Sequence, residues 1–469
     1  MASFYVENFG CRATQADGAA IEEQFRELGL NRADRPQNAK YVVLNTCAVT
    51  ASAEQEARAA IRRMRRENPG CKVIVTGCYA QRAPSEVASL PGVSMVVGNS
   101  HKNTLAQLAL PAQSEKVKAG ENFISLASLT SQPAPFDPSI FVSDIFAHSE
   151  LVAAPVFDSA NERTRPNLKV QDGCNNRCSF CIIPSVRGRS RSLMLHEVLR
   201  EVNQLVQAGY REVVISGINL GRWGRDFRGQ SMSAGRPSPP KFEDLVCAIL
   251  DHTDLEKLRI SSVEPMDWSD SLIRLMAESS RIAKHAHVPT QSGSDTVLRR
   301  MHRKYRPWHY REKIEKVRAA MPTAAIGADV MVGFPGETDL EFEETRRMID
   351  ELPFTYLHVF TFSSRPGTPA ANMPNQVPVQ LARERSRILR DLAAEKKCDF
   401  MQQFIGQKIE AITLNVISEG ADGTYTEALT DNYLKLQIQG KHEPNRWLNA
   451  QISSVGNNQL VGNSSSVIC

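Results

Sequence analysis

No run of about 18 apolar residues occurs in this sequence, which speaks against a membrane-spanning helix. The opening residues, MASFYVENFGC, lack a basic segment followed by a long apolar one, so they do not read as a signal peptide, and the cytoplasm is the expected compartment. Cysteine is sparse, 10 in 469 residues, which argues against a disulfide scaffold. In a reducing compartment, clustered cysteines more often ligate metal or do chemistry. Strong charge of one sign is also missing: the net charge is +4 and the pI about 8.5, which permits a nucleic-acid partner without requiring one. What remains is an ordinary globular composition, 42% hydrophobic and 23% charged. The length predicts roughly two to four domains.

Residues 1–111 alternate short apolar runs with helical stretches. FYVENFGC, YVVLNTC and KVIVTGC each end in a small or polar residue and then cysteine, and ADGAAIEEQFRELGL and SAEQEARAAIRRMRREN lie between them. Such alternation implies a parallel sheet covered by helices, with functional groups outside the carboxyl ends of its strands. Cys11, Cys47 and Cys78 close their strands and should face one edge, whereas Cys71 opens a strand and should lie at the other. Residues 112–165, rich in Ser, Pro and Ala, read as a linker or insertion. From 166 to 402, six strand–helix units suggest a partial (β/α)6 barrel followed by a helix from 378. The loop 224–240 is Gly/Ser/Pro-rich. Residues 405–469 alternate at period two and predict a small antiparallel β-barrel, with the tail GNNQLVGNSSSVIC frayed at its end. The fold class is thus α/β with a terminal all-β module.

The strongest local signal is QDGCNNRCSFCIIP, which sets Cys174, Cys178 and Cys181 in one tight loop. A disulfide needs two thiols and a closed structural zinc site needs four ligands. Three thiols on a cubane of four irons leave one iron without a protein ligand, open to substrate or cofactor. Zinc with a distant fourth ligand such as His196 is the competing reading.

CNNRCSFC after a first barrel strand resembles the radical S-adenosylmethionine (SAM) enzymes, in which the open iron binds SAM and one electron splits it to a 5′-deoxyadenosyl radical. The surrounding motifs resemble the methylthiotransferase family: ENFGCR, NTCAVT, VTGCYAQ, RGRSRS, ISGINLG, RISSVEP, HVPTQSGSDTVLRRMHRKY, DVMVGFPGET and RPGTPAANM. The resemblance covers almost the whole chain apart from 112–165 and 224–240. It implies two 4Fe–4S clusters, one on Cys174, Cys178 and Cys181 for SAM and one on Cys11, Cys47 and Cys78 for sulfur insertion, facing one another across a shared cavity. Taken singly, the last three would read as buried small hydrophobes. The resemblance further implies replacement of C–H by C–S–CH3, a tRNA substrate, an electron donor such as flavodoxin or ferredoxin, a sulfur donor, and a terminal barrel similar to the RNA-binding TRAM domain. A monomer is expected.

Within that family the motifs look most like the branch acting on threonylcarbamoyladenosine at position 37 of tRNA. Branches acting on isopentenyladenosine, or on an aspartate of a ribosomal protein, are the alternatives. A non-catalytic iron–sulfur or zinc RNA-binding protein is a reading of another class. Strand-end polar residues Asn219, Glu264 and Gln291, with Asp329, should line the SAM cleft, with Glu264 on the ribose; capping of strand ends is the plainer alternative. Arg187, Arg189 and Arg191 follow the SAM-cluster loop and are candidates for RNA contact. GFPGET reads as a strand-to-helix turn with Thr338 as N-cap, and His285 and His287 read as structural. The terminal barrel carries Lys408, Lys435, Lys441 and Arg446 against six acids, so charge alone does not support RNA binding there. Cys71, Cys247, Cys398 and Cys469 have no assigned role.

Overall fold

The computed structural model describes residues 2–110, 138–148, 151, 165–227, 239–420 and 423–467. The chain forms two compact units, one of residues Met1–Ala154 with Ile182–Arg189, the other of Pro155–Cys181 with Ser190–Cys469. Most of the 112–165 stretch and of the 224–240 loop lies outside the described residues.

The first unit is a six-stranded parallel sheet of β1 (Ser3–Asn8), β2 (Asn31–Arg32), β3 (Tyr41–Thr46), β4 (Lys72–Gly77), β5 (Val93–Val97) and β6 (Ser139–Phe141), in the order β2-β1-β3-β4-β5-β6. Strand β3 begins with an unbroken apolar run, Tyr41–Leu44, because both its faces are covered. Val42 and Leu44 pack with Ala57, Ile61 and Met64, whereas Tyr41 and Val43 pack with Ile21, Phe25 and Leu105. Helix α1 (Arg12–Glu27) supplies Ile21 and Phe25, and helix α2 (Ala51–Glu67) supplies Ala57, Ile61 and Met64. The Thr50 hydroxyl caps α2 by accepting the Ala53 N–H at 3.2 Å. Strand β6 corrects the expectation for 112–165: residues Ser139–Phe141 complete the sheet. The chain passes from β1 to β2 on one side and reaches β3 on the other, so the switch point lies between β1 and β3.

The second unit carries six parallel strands, β7 (Asn167–Asp172), β9 (Glu212–Gly217), β10 (Lys257–Ile260), β11 (His285–His287), β12 (Ala325–Val332) and β13 (Tyr356–Thr361). They form two ladders joined by the parallel bridges Leu258↔Ile282 and Ser262↔His287, which makes a partial barrel. A two-residue strand, β8 (Arg191–Ser192), pairs antiparallel with β7 and was not anticipated. Helices Leu195–Gln207, Phe242–His252, Asp270–Glu278, Asp295–Arg300, Pro307–Ala320 and Asp339–Glu351 alternate with these strands. Thr338 is the N-cap of the last of them, in a reciprocal pair with Glu341.

After the helix Val379–Gln402, strands β14 (Lys408–Gly420), β15 (Gly423–Thr430), β16 (Lys435–Gln439), β17 (Trp447–Gly456) and β18 (Gln459–Val467) close a barrel. Most of the tail GNNQLVGNSSSVIC forms β18, paired with both β16 and β17, and its last two residues, where fraying is expected, lie outside the described residues. Helix residues Phe400 and Met401, with Phe404 just beyond the helix, contribute to this barrel's core. Lys257 of β10 donates to Glu410 at 2.8 Å, which ties the small barrel to the larger one. No helix among the described residues is long and apolar enough to cross a membrane.

Candidate active site and metal centres

In the first unit, β1, β3 and β4 are neighbours, and Asn8 lies opposite Asn45 and Thr46 opposite Gly77 in the ladders. Their carboxyl ends therefore share one edge, at the switch point. Cys11 is the N-cap of α1, Cys47 follows β3, and Cys78 opens a short helix α3 (Cys78–Arg82). Cys11 is exposed, while Cys47 and Cys78 are buried. Gly10 lets its loop lie on Cys47: a Cβ at that position would stand 2.8 Å from the Cys47 Cβ and 3.0 Å from its sulfur, and φ is +108°.

The Cys47 thiol lies within electrostatic reach of the thiols of both Cys78 and Cys11. Burial, then the Cys78 thiol, push the Cys47 pKa up to about 12; Cys11 adds to the rise, while the Val49 backbone N–H and Arg187 oppose it. A buried thiol that resists ionising beside two other thiols suits a cationic cluster, which would take the place of its proton. Asn99 Nδ2 lies 3.7 Å from the Cys78 sulfur and donates to the Val186 carbonyl at 2.7 Å. Nearby, the Asp17 carboxylate accepts from Lys102 at 2.9 Å and from Arg187 at 3.0 Å. All three are at most 3% exposed. Arg187, expected as a loop cation, is thus buried in an ion pair instead. Asp17 and Lys102 were missed, because lone polar residues in ADGAA and SHKNT carry no pattern that marks burial.

In the second unit, Cys174, Cys178 and Cys181 lie in the loop after β7. That loop is anchored by Ser179, whose N–H donates to Met301 O at 3.1 Å and whose hydroxyl donates to Arg300 O at 2.7 Å. The Cys174 sulfur receives the Asn176 backbone N–H at 3.4 Å and Asn219 Nδ2 at 3.6 Å. Burial raises the Cys174 pKa, and these two donors oppose the rise. The Cys178 sulfur accepts from Arg303 Nη1 at 3.3 Å, and Arg303 also pairs with Glu264. Three thiols with hydrogen-bond donors aimed at two of their sulfurs form a donor set that fits an iron–sulfur cluster. Asn176, Cys178, Arg222, Glu264, Arg303 and Tyr305 line a concavity beside the loop.

The structure thus brings Asn219 against Cys174 and joins Glu264 to Cys178 through Arg303. Gln291 stands apart, at the end of β11's extension. Its backbone takes φ 63°, its N–H donates to Asp329 O at 2.9 Å, and its carbonyl accepts from Met331 at 2.8 Å. Arg189 is exposed, and Arg191 lies 3.7 Å from Asp172 with its side chain 12% exposed. Arg303 was missed although it stands in the quoted LRRMHRKY; four basic residues within six positions give no hint which one turns inward. His285 and His287, read as structural, are consecutive inward residues of β11. His285 contacts Tyr356, Nε2 to hydroxyl at 2.7 Å. His287 lies beside Asp329 of β12, and with His358 of β13 these place three ligand atoms within 4.8 Å of one another.

Comparison with known proteins bears on both units. Residues 3–98 match a family described as uncharacterized protein family UPF0004, and residues 168–349 match the radical SAM superfamily. The chain is similar to the threonylcarbamoyladenosine tRNA methylthiotransferase MtaB of Bacillus subtilis (strain 168), with 35% identity over 94% of this chain and 92% of that one. It is similar to the protein of the same description from Rickettsia prowazekii (strain Madrid E), with 36% identity over 87% of each. Among solved structures, the radical SAM methyltransferase TsrM of Kitasatospora setae matches in fold, with a TM-score of 0.52, 13% identity, and 79% of this chain and 75% of that chain covered.

Proposed function

We propose, from the premise that this chain belongs to the threonylcarbamoyladenosine tRNA methylthiotransferases of the radical SAM superfamily, that it replaces the hydrogen on carbon 2 of threonylcarbamoyladenosine, next to the tRNA anticodon, with a methylthio group. The observation that carries the reading is the pair of three-thiol groups, Cys174, Cys178 and Cys181 in one unit and Cys11, Cys47 and Cys78 in the other. Bound 4Fe–4S clusters would supply, at one group, the electron that splits SAM and, at the other, a site for sulfur.

The chain's own residues have separable tasks. Asn219 and Arg303 donate hydrogen bonds to thiolates of the SAM group and thereby orient the loop. Glu264, held by Arg303 at the rim of the concavity, is placed to accept from ribose hydroxyls. Gln291, fixed in a left-handed backbone by its two hydrogen bonds, presents its amide at the strand end. Lys102 and Arg187 set positive charge near the other three thiols. Arg189 and Arg191 are the remaining candidates for RNA contact. The closed five-stranded barrel supports a TRAM-like module, and an electron donor such as flavodoxin or ferredoxin and a separate sulfur donor complete the set of partners.

The test is mass spectrometry of tRNA nucleosides from a strain lacking the gene. Loss of the methylthio form of threonylcarbamoyladenosine, restored by the intact gene, is the expected result. Loss of the methylthio isopentenyl derivative instead would overturn the substrate.

A further inference from the structure

Adjacent strands β11, β12 and β13 turn one polar residue each toward a common point. In the ladders His287 lies opposite Gly327, and Asp329 opposite His358. His287 Nε2 stands 3.4 Å from Asp329 Oδ1, and the His287 and His358 rings are 5.7 Å apart between centroids. His287 is only 9% exposed, yet neither of its ring nitrogens makes a hydrogen bond. Buried polar atoms are nearly always satisfied, and one left bare carries a desolvation cost that a bound polar group would relieve. An unsatisfied imidazole facing a carboxylate and a second imidazole marks a place where something polar binds.

The place is wired to the SAM loop. The Cys178 sulfur accepts from Arg303, whose Nε donates to the Tyr305 hydroxyl at 3.1 Å. That hydroxyl donates to Thr290 O at 2.8 Å, and Thr290 N–H donates to Asp329 O at 3.2 Å. Four hydrogen bonds therefore run from a cluster thiol to the strand that carries Asp329, within one unit. Gly327, one inward position below Asp329, makes way for the Tyr356 ring, which a Cβ there would meet at 2.0 Å, so that ring forms the floor below Asp329.

We propose that His287, Asp329 and His358 form the pocket that reads the polar N6 substituent of the target adenosine. This rests on the function proposed above. A threonylcarbamoyl arm offers urea N–H groups and a hydroxyl as donors, which suit the Asp329 carboxylate. It offers carbonyl and carboxylate oxygens as acceptors, which suit imidazole N–H donors on His287 and His358. An isopentenyl arm offers neither and would leave the same groups unpaired. A site built to hydrogen-bond its ligand rejects an analogue that lacks those groups far more strongly than an apolar pocket rejects an extra hydroxyl. Two imidazoles and a carboxylate are also a divalent-metal donor set, and that occupant is made an outcome of the test.

The experiment uses the full-length, anaerobically reconstituted enzyme and anticodon stem-loops carrying threonylcarbamoyladenosine, isopentenyladenosine or unmodified adenosine. It measures equilibrium binding and methylthio product together. The wild type should bind the threonylcarbamoyl stem-loop at least about tenfold more tightly than either of the others. His358→Leu should bring that preference to about twofold or less, and His358→Gln, which keeps a donor, should restore part of it. If His358→Leu does not fold, the comparison is made on His358→Gln and Asp329→Asn, both of which should weaken the preference. Product formed with the preference intact in every variant would overturn the pocket while leaving the function standing. No product from the threonylcarbamoyl stem-loop, although SAM is cleaved, would overturn the function and the pocket together. A stoichiometric metal other than iron, lost from His358→Leu, would replace the pocket with a metal site.

Discussion

At the scale of single residues, the two cysteine groups differ in what surrounds their thiols. Cys174 and Cys178 each receive a hydrogen bond from a side chain of the large barrel, whereas Cys47 is buried beside its partner thiols with the Arg187 cation nearby. Cys178→Ala should abolish production of 5′-deoxyadenosine, and Cys47→Ala should retain it while losing methylthio product; equal loss in both would contradict separate roles. The raised Cys47 pKa also fixes a sign. A thiol that holds its proton at neutral pH must release it to bind iron, so iron retained at this group against a chelator should increase from about pH 7 to about pH 9. The buried ion cluster gives a stability prediction. Asp17→Asn leaves Lys102 and Arg187 buried with no carboxylate between them, which should cost about 3–5 kcal/mol in urea unfolding.

At the scale of elements, most strands and helices are legible from apolar runs and 3.6-residue periodicity. The helix from 378, for example, is Val379–Gln402. The strand ends also sort Cys11, Cys47 and Cys78 from Cys71 without further information. What escapes is whatever depends on long-range pairing. Ser139–Phe141 is only three residues in a Ser/Pro-rich context, and it becomes a strand because β5 offers an open edge. Arg187 reads as one more loop cation, and its burial depends on Asp17, 170 positions earlier. Arg303 is hidden in the same way among its basic neighbours. One helix cap is legible, Thr338 in GFPGET: Thr338→Ala should lower stability by about 1 kcal/mol in thermal unfolding, since it removes the acceptor of the Glu341 N–H.

At the scale of the whole molecule, the terminal barrel is built into the second unit. Phe400, Met401 and Phe404 belong to its core, so a chain ending at residue 404 would leave them uncovered. Such a truncation should aggregate in light-scattering measurements rather than yield a soluble enzyme lacking only RNA affinity. A monodisperse truncated enzyme would show that the barrel is an appendage.

The central claim is that the chain carries two clusters, each held by three of its cysteines. Iron analysis with Mössbauer spectroscopy on the anaerobically reconstituted full chain, compared with a variant in which Cys11, Cys47 and Cys78 are all alanine, tests it most directly. The account predicts about eight irons per chain falling to about four in the variant, with SAM cleavage retained. An unchanged iron content in the variant would contradict it.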